Sequence, residues 1–540
     1  MTKANDSKRE RSKKRKSLMN SFLNRLCMCI RYYIDVIIDT IFGWIYNSSR
    51  QQIPEINNTI VLESATSLAK KIRKRELTSE EVVQAFVDRI KQVNPVINSI
   101  VDERFEEALK EARDIDKDIA SGHISDVEFS EKPFLGVPFT SKESTAAKGL
   151  AFTFGLKKRR GKKASFDADC VAALKRSGAI LLGVSNIPQL NLWQETSNPV
   201  YGLTKNPYNT TRNVGGSSGG ESSNLAACGS PMGIGTDIGG SCRIPAFMCG
   251  VFGHKISNDL VSNKGLTFRT GEESGTMVSI GPMTRYAEDL IPFIKALAGP
   301  NKDQLNLDRP VSLRKIRVYF VTNPKDPLMS PFREEMHVTL LRAVSHFEEV
   351  CEEKPQELVF EHLKHQFKLW KYWMSVEEGA NFKNDINNRE GEVNAFVEIL
   401  KHFVGLGGDY STATIFNLCS NYLRKVDPVW TKETTETLRE ALLSKLNDNS
   451  VLLYPSAPFP ASYHHTALLR PFNFDCFAIW NVLKFPVTQV PMGLGTEGLP
   501  LGIQVVAAPH QDRLCVAVAR ELERAFGGFV SPTGVVIRHD

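Results

Sequence analysis

Polar and apolar positions repeat with two periods along this chain, and the change from one period to the other marks out its elements. Thr78-Ser79-Glu80-Glu81 has the form of a capping box, and Val82, Val83, Phe86, Ile90 and Val93 then recur at helical spacing. Asn94-Pro95 is expected to stop that helix. Phe105, Ala108, Leu109, Ala112 and Ile115 mark a second amphipathic helix. From Phe134 onward, short apolar runs alternate with helical patterns. Asp169 to Ser177 reads as a helix closed by Gly178, and Ala179 to Val184 as a buried strand. Residues Ile316 to Val321, Val451 to Tyr454 and Gly502 to Ala507 are further strand candidates. Leu514, Val518, Leu522 and Phe526 line one face of a last helix. This alternation predicts one α/β domain over residues 53–540, with a twisted mixed β-sheet flanked by many helices and no internal linker.

Two stretches depart from that pattern. Residues 325–450 are mostly helical in pattern and rich in Trp, Phe and charge, so they read as a helical insertion on the α/β body and as the wall of a substrate channel. Within them, Leu400 to Leu423 mixes apolar and polar positions, first as an ordinary core helix and second as a membrane-contacting cap. The other stretch is residues 18–46, LMNSFLNRLCMCIRYYIDVIIDTIFGWIY, a long apolar segment. A membrane span needs about 20 mostly apolar residues, and here Arg31, Asp35 and Asp39 form one stripe at i, i+4, i+8. That stripe fits an in-plane amphipathic anchor as well as a tilted span. The segment is therefore expected to attach the chain to a membrane.

Composition adds little to this picture, but charge adds a boundary. The net charge is +6, and eight Lys or Arg residues against two acidic ones lie between Lys3 and Lys16. Residues 1–17 read as a basic, disordered tail, and from Ser17 on the charges balance. The body thus gives no reason to expect nucleic acid. If the anchor spans, the tail stays cytosolic and the body faces the lumen. The 10 cysteines are widely spaced, without a CxxC pair or a zinc-ligand spacing, so reduced thiols are expected and no metal site.

The chemistry concentrates between Gly215 and Ala246, GGSSGGESSNLAACGSPMGIGTDIGGSCRIPA. Two Gly/Ser turns are separated by a helix-like segment and a short apolar run. Glycines let consecutive N–H groups converge on one cavity, and such a nest suits an oxyanion. Ile238, Gly239, Gly240 and Ser241 would supply the donors, with Ser241 placed as a nucleophile. A serine hydroxyl needs a base. His254 and the His464-His465 pair are candidates. The alternative is a lysine kept neutral by burial, and Lys142 follows the apolar run Phe134-Leu-Gly-Val-Pro-Phe139. GGSSGG contains GxSxG, yet the residues before it do not form the strand of a nucleophile elbow. It also lacks the GK[ST] ending of a phosphate-binding loop.

The whole stretch resembles the amidase signature family. The likeness covers GGSSGG, the spacing of 24 from Ser217 to Ser241, GTDIGGSCRIPA, Gly136-Val-Pro-Phe-Thr-Ser-Lys142-Glu upstream and Gly281-Pro-Met-Thr-Arg285 downstream. It implies the amidase-signature fold, Ser241 as acyl-forming nucleophile, Ser217 as bridging serine after a cis peptide at Gly216, and Lys142 as terminal base. Ser218, Asp237 and Arg243 become supporting residues, and the oxyanion hole runs from Ile238 to Ser241. No metal or cofactor is implied. Cys242 stands where the family usually has a larger aliphatic residue and is expected to pack as a small apolar group. Ser141 stands where an apolar residue is common and is expected to alternate outward on its strand. The resemblance together with the anchor implies hydrolysis of membrane-borne fatty-acid amides (N-acylethanolamines and primary fatty amides) at an endomembrane or a lipid droplet, with a homodimer left open. The competing readings are a non-catalytic membrane scaffold and the ammonia-generating subunit of an amidotransferase.

Overall fold

The computed structural model describes residues 26–420 and 425–535. The basic tail, residues 18–25 of the anchor segment and Leu423 lie outside the described residues. An eleven-stranded mixed sheet runs through the body. In spatial order its strands are Ile100–Glu103, Ile180–Ser185, Pro138–Lys142, Met232–Asp237, Ser279–Thr284, Phe252–Lys255, Val487–Leu494, Pro500–Ala507, Ser450–Pro455, Arg317–Phe320 and Gln356–Glu357. Three neighbouring strands, Ile180–Ser185, Pro138–Lys142 and Met232–Asp237, run parallel, with Lys142 opposite Ser185. Lys142 and Asp237 are the last residues of their strands. Open α/β sheets bind ligands outside the carboxyl ends of such strands, and the candidate site lies there.

Local signals explain most of the elements. Thr78 and Glu81 form both halves of the capping box that starts the helix Ser79–Ile97. Its apolar stripe joins one cluster with Phe139, Ile180, Ile234, Val451 and Val505 of the sheet. The expected stop at Asn94-Pro95 is wrong by a few residues: Pro95 is inside the helix, which ends at Asn98 in a left-handed conformation. A proline this close to the C-terminal end removes only one backbone bond, and burial of Val93 and Ile97 outweighs that loss. The expected strands at 179–184, 316–321, 451–454 and 502–507 all form, within two residues of the expected bounds at each end. Ser141 does not face outward. Its strand is buried throughout, and among the described residues its hydroxyl has no hydrogen-bond partner. Parallel strands flanked on both sides bury both faces, so alternation does not bring a side chain to solvent.

Among the described residues of 325–450, the regular elements are helices apart from the edge strand Gln356–Glu357 and Ser450, which opens the strand Ser450–Pro455. The core-helix reading of Leu400 to Leu423 fails. The described part divides into Ala395–Phe403 and Thr412–Ser420, and Phe396, Leu400, Phe403 and Leu406 are exposed, Phe403 to 84%.

The helix at 26–46 is amphipathic in an inverted sense. Arg31, Asp35, Ile38, Asp39, Gly43 and Tyr46 face the body, whereas Ile30, Tyr33, Ile34, Ile37, Ile41, Trp44 and Ile45 are exposed. Asp35 and Asp39 both accept hydrogen bonds from Arg470, and Asp39 also pairs with Arg333. The spanning alternative gains no support, because no helix among the described residues is long and apolar enough to cross a membrane.

Candidate active site

Two loops and one strand end build the site. The apolar run before Lys142 becomes a central strand, which carries the lysine into the interior with no exposed surface. Gly216 and Ser217 are joined by a cis peptide bond, and the helix Gly219–Ala226 follows at once. A side chain at Gly216 would collide with the carbonyl oxygen of Trp193, so only glycine fits. The strand Met232–Asp237 delivers the second loop, with Ser241 at its end and the short helix Arg243–Met248 behind it.

Lys142 Nζ lies 2.6 Å from Ser217 Oγ and 2.8 Å from Thr236 Oγ1. Burial pushes the lysine down from 10.5 to about 7, against the opposite pull of nearby acidic groups that include Asp237 and Glu221. A substantial neutral fraction is thus present at ordinary pH, and a neutral amine within hydrogen-bond distance of the Ser217 hydroxyl can take up its proton. Ser217 and Ser241 line the same cavity. Among the described residues Ser241 Oγ makes no hydrogen bond, and only 8% of the residue is exposed. Ser218 ties the two loops together: its N–H donates to Ser241 O at 3.0 Å and its hydroxyl accepts from Thr236 N at 3.3 Å.

Asp237 and Arg243 hold the second loop in shape. Arg243 Nε and Nη2 reach the Asp237 carboxylate at 3.0 and 3.1 Å, and neither side chain is exposed. Burial alone would raise the acid, but the guanidinium charge and its hydrogen bonds hold it at about 2. The same carboxylate accepts the N–H groups of Gly240 at 2.7 Å and Cys242 at 3.1 Å. The Gly240 N–H is committed to Asp237, whereas those of Ile238, Gly239 and Ser241 have no partner among the described residues. Those three residues border the larger cavity. Cys242 is buried, as expected of a small apolar group, and burial raises its thiol.

The histidine candidates are engaged elsewhere. His254 bonds to Thr488 and Asp512, and His464 to Glu195 and the Thr210 carbonyl. Sequence reasoning missed Thr236, Asn481, Gln504 and Trp370. Asn481 and Gln504 each accept a 2.8 Å bond from Arg243. Both interrupt apolar runs, FAIWNVL and GIQVVAA, and a lone amide in such a run was the available signal.

Ser241 stands where two cavities meet. One, of about 630 Å³, is walled by Phe367, Trp370, Met374, Phe416, Phe472 and Phe474. The other, of about 460 Å³, shares Asn191 and Ser375 with the first and adds Ser144, Thr267 and Arg269 beside the apolar Leu266 and Phe268. Trp370 Nε1 donates to Ile238 O at 3.1 Å, so the helix Gln366–Ser375 of the insertion rests directly on the glycine loop.

The amidase family model matches residues 81–516 of the chain. The chain belongs to the amidase signature family. Fatty-acid amide hydrolase 2-A of Danio rerio is 42% identical over 90% of this chain and 93% of its own. Human fatty-acid amide hydrolase 2 is 41% identical over 88% and 91%. The acylamidase of Rhodococcus erythropolis is 30% identical over 85% of this chain and 94% of its own. A solved fatty acid amide hydrolase superposes with a TM-score of 0.69 at 20% identity, covering 91% of this chain and 89% of that one. Like those relatives, this amidase-signature chain is a hydrolase.

Proposed function

We propose that this hydrolase cleaves fatty-acid amides, among them N-acylethanolamines and primary fatty amides, through an acyl-enzyme on Ser241. Neutral Lys142 accepts a proton relayed through Ser217 as Ser241 Oγ attacks the amide carbonyl. The N–H groups of Ile238, Gly239 and Ser241 hold the tetrahedral oxyanion, where each donor is typically worth ~100- to 1000-fold in rate. The relay returns the proton to the departing nitrogen, which leaves poorly unprotonated. Water then releases the fatty acid.

The observation that carries this reading is the wholly buried lysine 2.6 Å from Ser217, beside a serine bordering a large apolar cavity. The apolar lining favours an acyl chain, since each buried CH₂ contributes about 0.8 kcal/mol. Names of the relatives support the substrate class. We extend the proposal to membrane association in plane, at an endomembrane or a lipid droplet. The outward apolar face of the 26–46 helix and the exposed Phe396, Leu400, Phe403 and Leu406 support contact with a lipid surface.

Purified protein assayed on a panel of acyl amides, with no other protein added, tests the substrate class. Hydrolysis of long-chain amides supports it. Activity on glutamine alone would favour the amidotransferase reading. A fluorophosphonate probe should label the wild type and not Ser241→Ala. Co-flotation with liposomes tests the membrane contact.

A further inference from the structure

The charged stripe on the 26–46 helix ends on a residue that also begins one wall of the apolar cavity. Arg470 is 2% exposed. Its Nε donates to Asp35 Oδ1 at 2.9 Å, and its Nη2 donates to Asp35 O at 2.7 Å and to Asp39 Oδ1 at 2.8 Å. Arg31 of the same helix reaches the neighbouring Leu469 carbonyl at 3.3 Å. Arg333 takes the other Asp39 oxygen at 2.7 Å, and the rings of Tyr46 and His464 meet at 6.1 Å.

On its other side, Arg470 leads straight into Pro471, Phe472 and Phe474, all of which line the cavity. Gln194, also a lining residue, donates to the Pro471 carbonyl at 3.0 Å. Phe472 packs on Phe367 with centroids 4.6 Å apart, and Phe474 on Trp370 at 4.9 Å. Trp370 in turn holds Ile238 of the glycine loop. One unbroken set of contacts therefore runs from two aspartates on the N-terminal helix to the wall of the cavity and on to the loop beside Ser241.

We propose that Arg470 is a positioning residue that makes the shape of the acyl cavity depend on the seating of the N-terminal helix. Asp35 and Asp39 neutralise and orient its guanidinium, and this fixes the 469–474 segment against Phe367 and Trp370. The inner face of the helix then acts on the cavity through Arg470, and its outer apolar face stays free for a lipid surface. The inference rests on reading the apolar cavity as the acyl site.

The test compares full-length wild type with Asp35→Asn/Asp39→Asn on a long-chain amide and a short, water-soluble one in detergent. KM for the long chain should rise about tenfold, with kcat and all constants for the short amide unchanged. An equal loss on both substrates, or no change on either, would overturn the proposal. The double variant leaves a buried unpaired guanidinium, which can itself destabilise the fold. Arg470→Met combined with both asparagines removes that charge. If the long-chain KM stays raised in the triple variant, helix seating is responsible. If KM returns to the wild-type value, the effect was only that of the unpaired charge and the proposal falls. Hydrogen exchange at the amides of Asn473, Asp475 and Phe477, which bond to the carbonyls of Arg470, Phe472 and Phe474, needs no substrate. It should accelerate in the double variant, and unchanged protection refutes the coupling. Should the wild type fail to distinguish long from short amides, the substrate reading is lost, and the exchange data still decide the role of Arg470.

Discussion

Replacing Lys142 by Met should reveal how much stability this site costs the fold. The side chain is wholly buried, and burial lowers it from 10.5 to about 7. The unfolded chain therefore holds the proton more tightly than the native one. The native state is penalised most below about pH 7, and the penalty fades as pH rises toward 10.5. The full displacement corresponds to about 5 kcal/mol, of which about 4 remains at pH 7 and about 2 at pH 9. Methionine fills a similar volume and has no proton to lose. It also deprives Ser217 and Thr236 of a donor, which costs roughly 1–3 kcal/mol for each buried group left without a partner. The absolute stability of Lys142→Met is thus a near cancellation, but its pH dependence is not. Urea unfolding of both proteins at pH 7, 8 and 9 should show the wild type gaining about 2 kcal/mol on the variant across that range. Parallel curves would refute the argument, because they would mean that the lysine is charged in the native state. The same titration predicts that wild-type kcat/KM rises through about pH 7 as the amine loses its proton.

Arg243→Met leaves Asp237 buried without its counter-ion and should destabilise the chain by about 3–5 kcal/mol, read by denaturation. The wild-type Asp237 contribution is present above pH 3.8 and is lost as pH falls toward about 2, so the variant should also unfold at higher pH on acid titration. Gly240→Ala forces a Cβ against buried Phe477 and Ile244 at a φ of +103°, so it should abolish amide turnover and also lower the unfolding midpoint, by roughly 1–3 kcal/mol of stability. Wild-type activity reappearing in that variant would show that the loop can relax. Across a series of amides differing only in acyl length, kcat/KM should climb about fourfold per methylene until the cavity is filled, as about 0.8 kcal/mol per CH₂ dictates. A flat series would place the acyl chain outside the apolar cavity.

The helices and buried strands were legible because periodicity reports burial directly. The nest of glycines and serines was legible because of its resemblance to a long family signature, since a Gly/Ser run by itself reads as a loop. From the residues alone Lys142 stands beside histidine as one option, and the family resemblance singles it out, since a separation of 75 positions hides its 2.6 Å contact with Ser217. Partners brought in by topology were out of reach. Asn481 comes from a helix and Gln504 from a strand to complete the Arg243 network, and nothing near them in sequence points to position 243. The commitment of the Gly240 N–H to Asp237 was likewise invisible, because a run of glycines does not say which peptide turns inward. The N-terminal stripe was read correctly as a stripe, but its partner was not: the same spacing of Arg31, Asp35 and Asp39 fits water, a headgroup layer or, as found, the two arginines Arg333 and Arg470.

That last ambiguity bears on how such a site can work at all. A neutral lysine requires a dry interior, and a dry interior normally repels the polar half of an amide substrate. The two cavities resolve this conflict in space. On the proposed mechanism, the aromatic walls on one side of Ser241 would keep water from the acyl chain. The second cavity, which adds Ser144, Thr267 and Arg269, would take the leaving amine. On that mechanism, the proton that Lys142 takes up during attack is returned through Ser217 to the leaving nitrogen. Lys142 bonds to Ser217, and Ser217 lines that cavity. On the proposed mechanism, this asymmetry of polarity around one serine sorts the acyl chain from the leaving amine, and the helices of residues 325–450 contribute to it by supplying most of the dry wall.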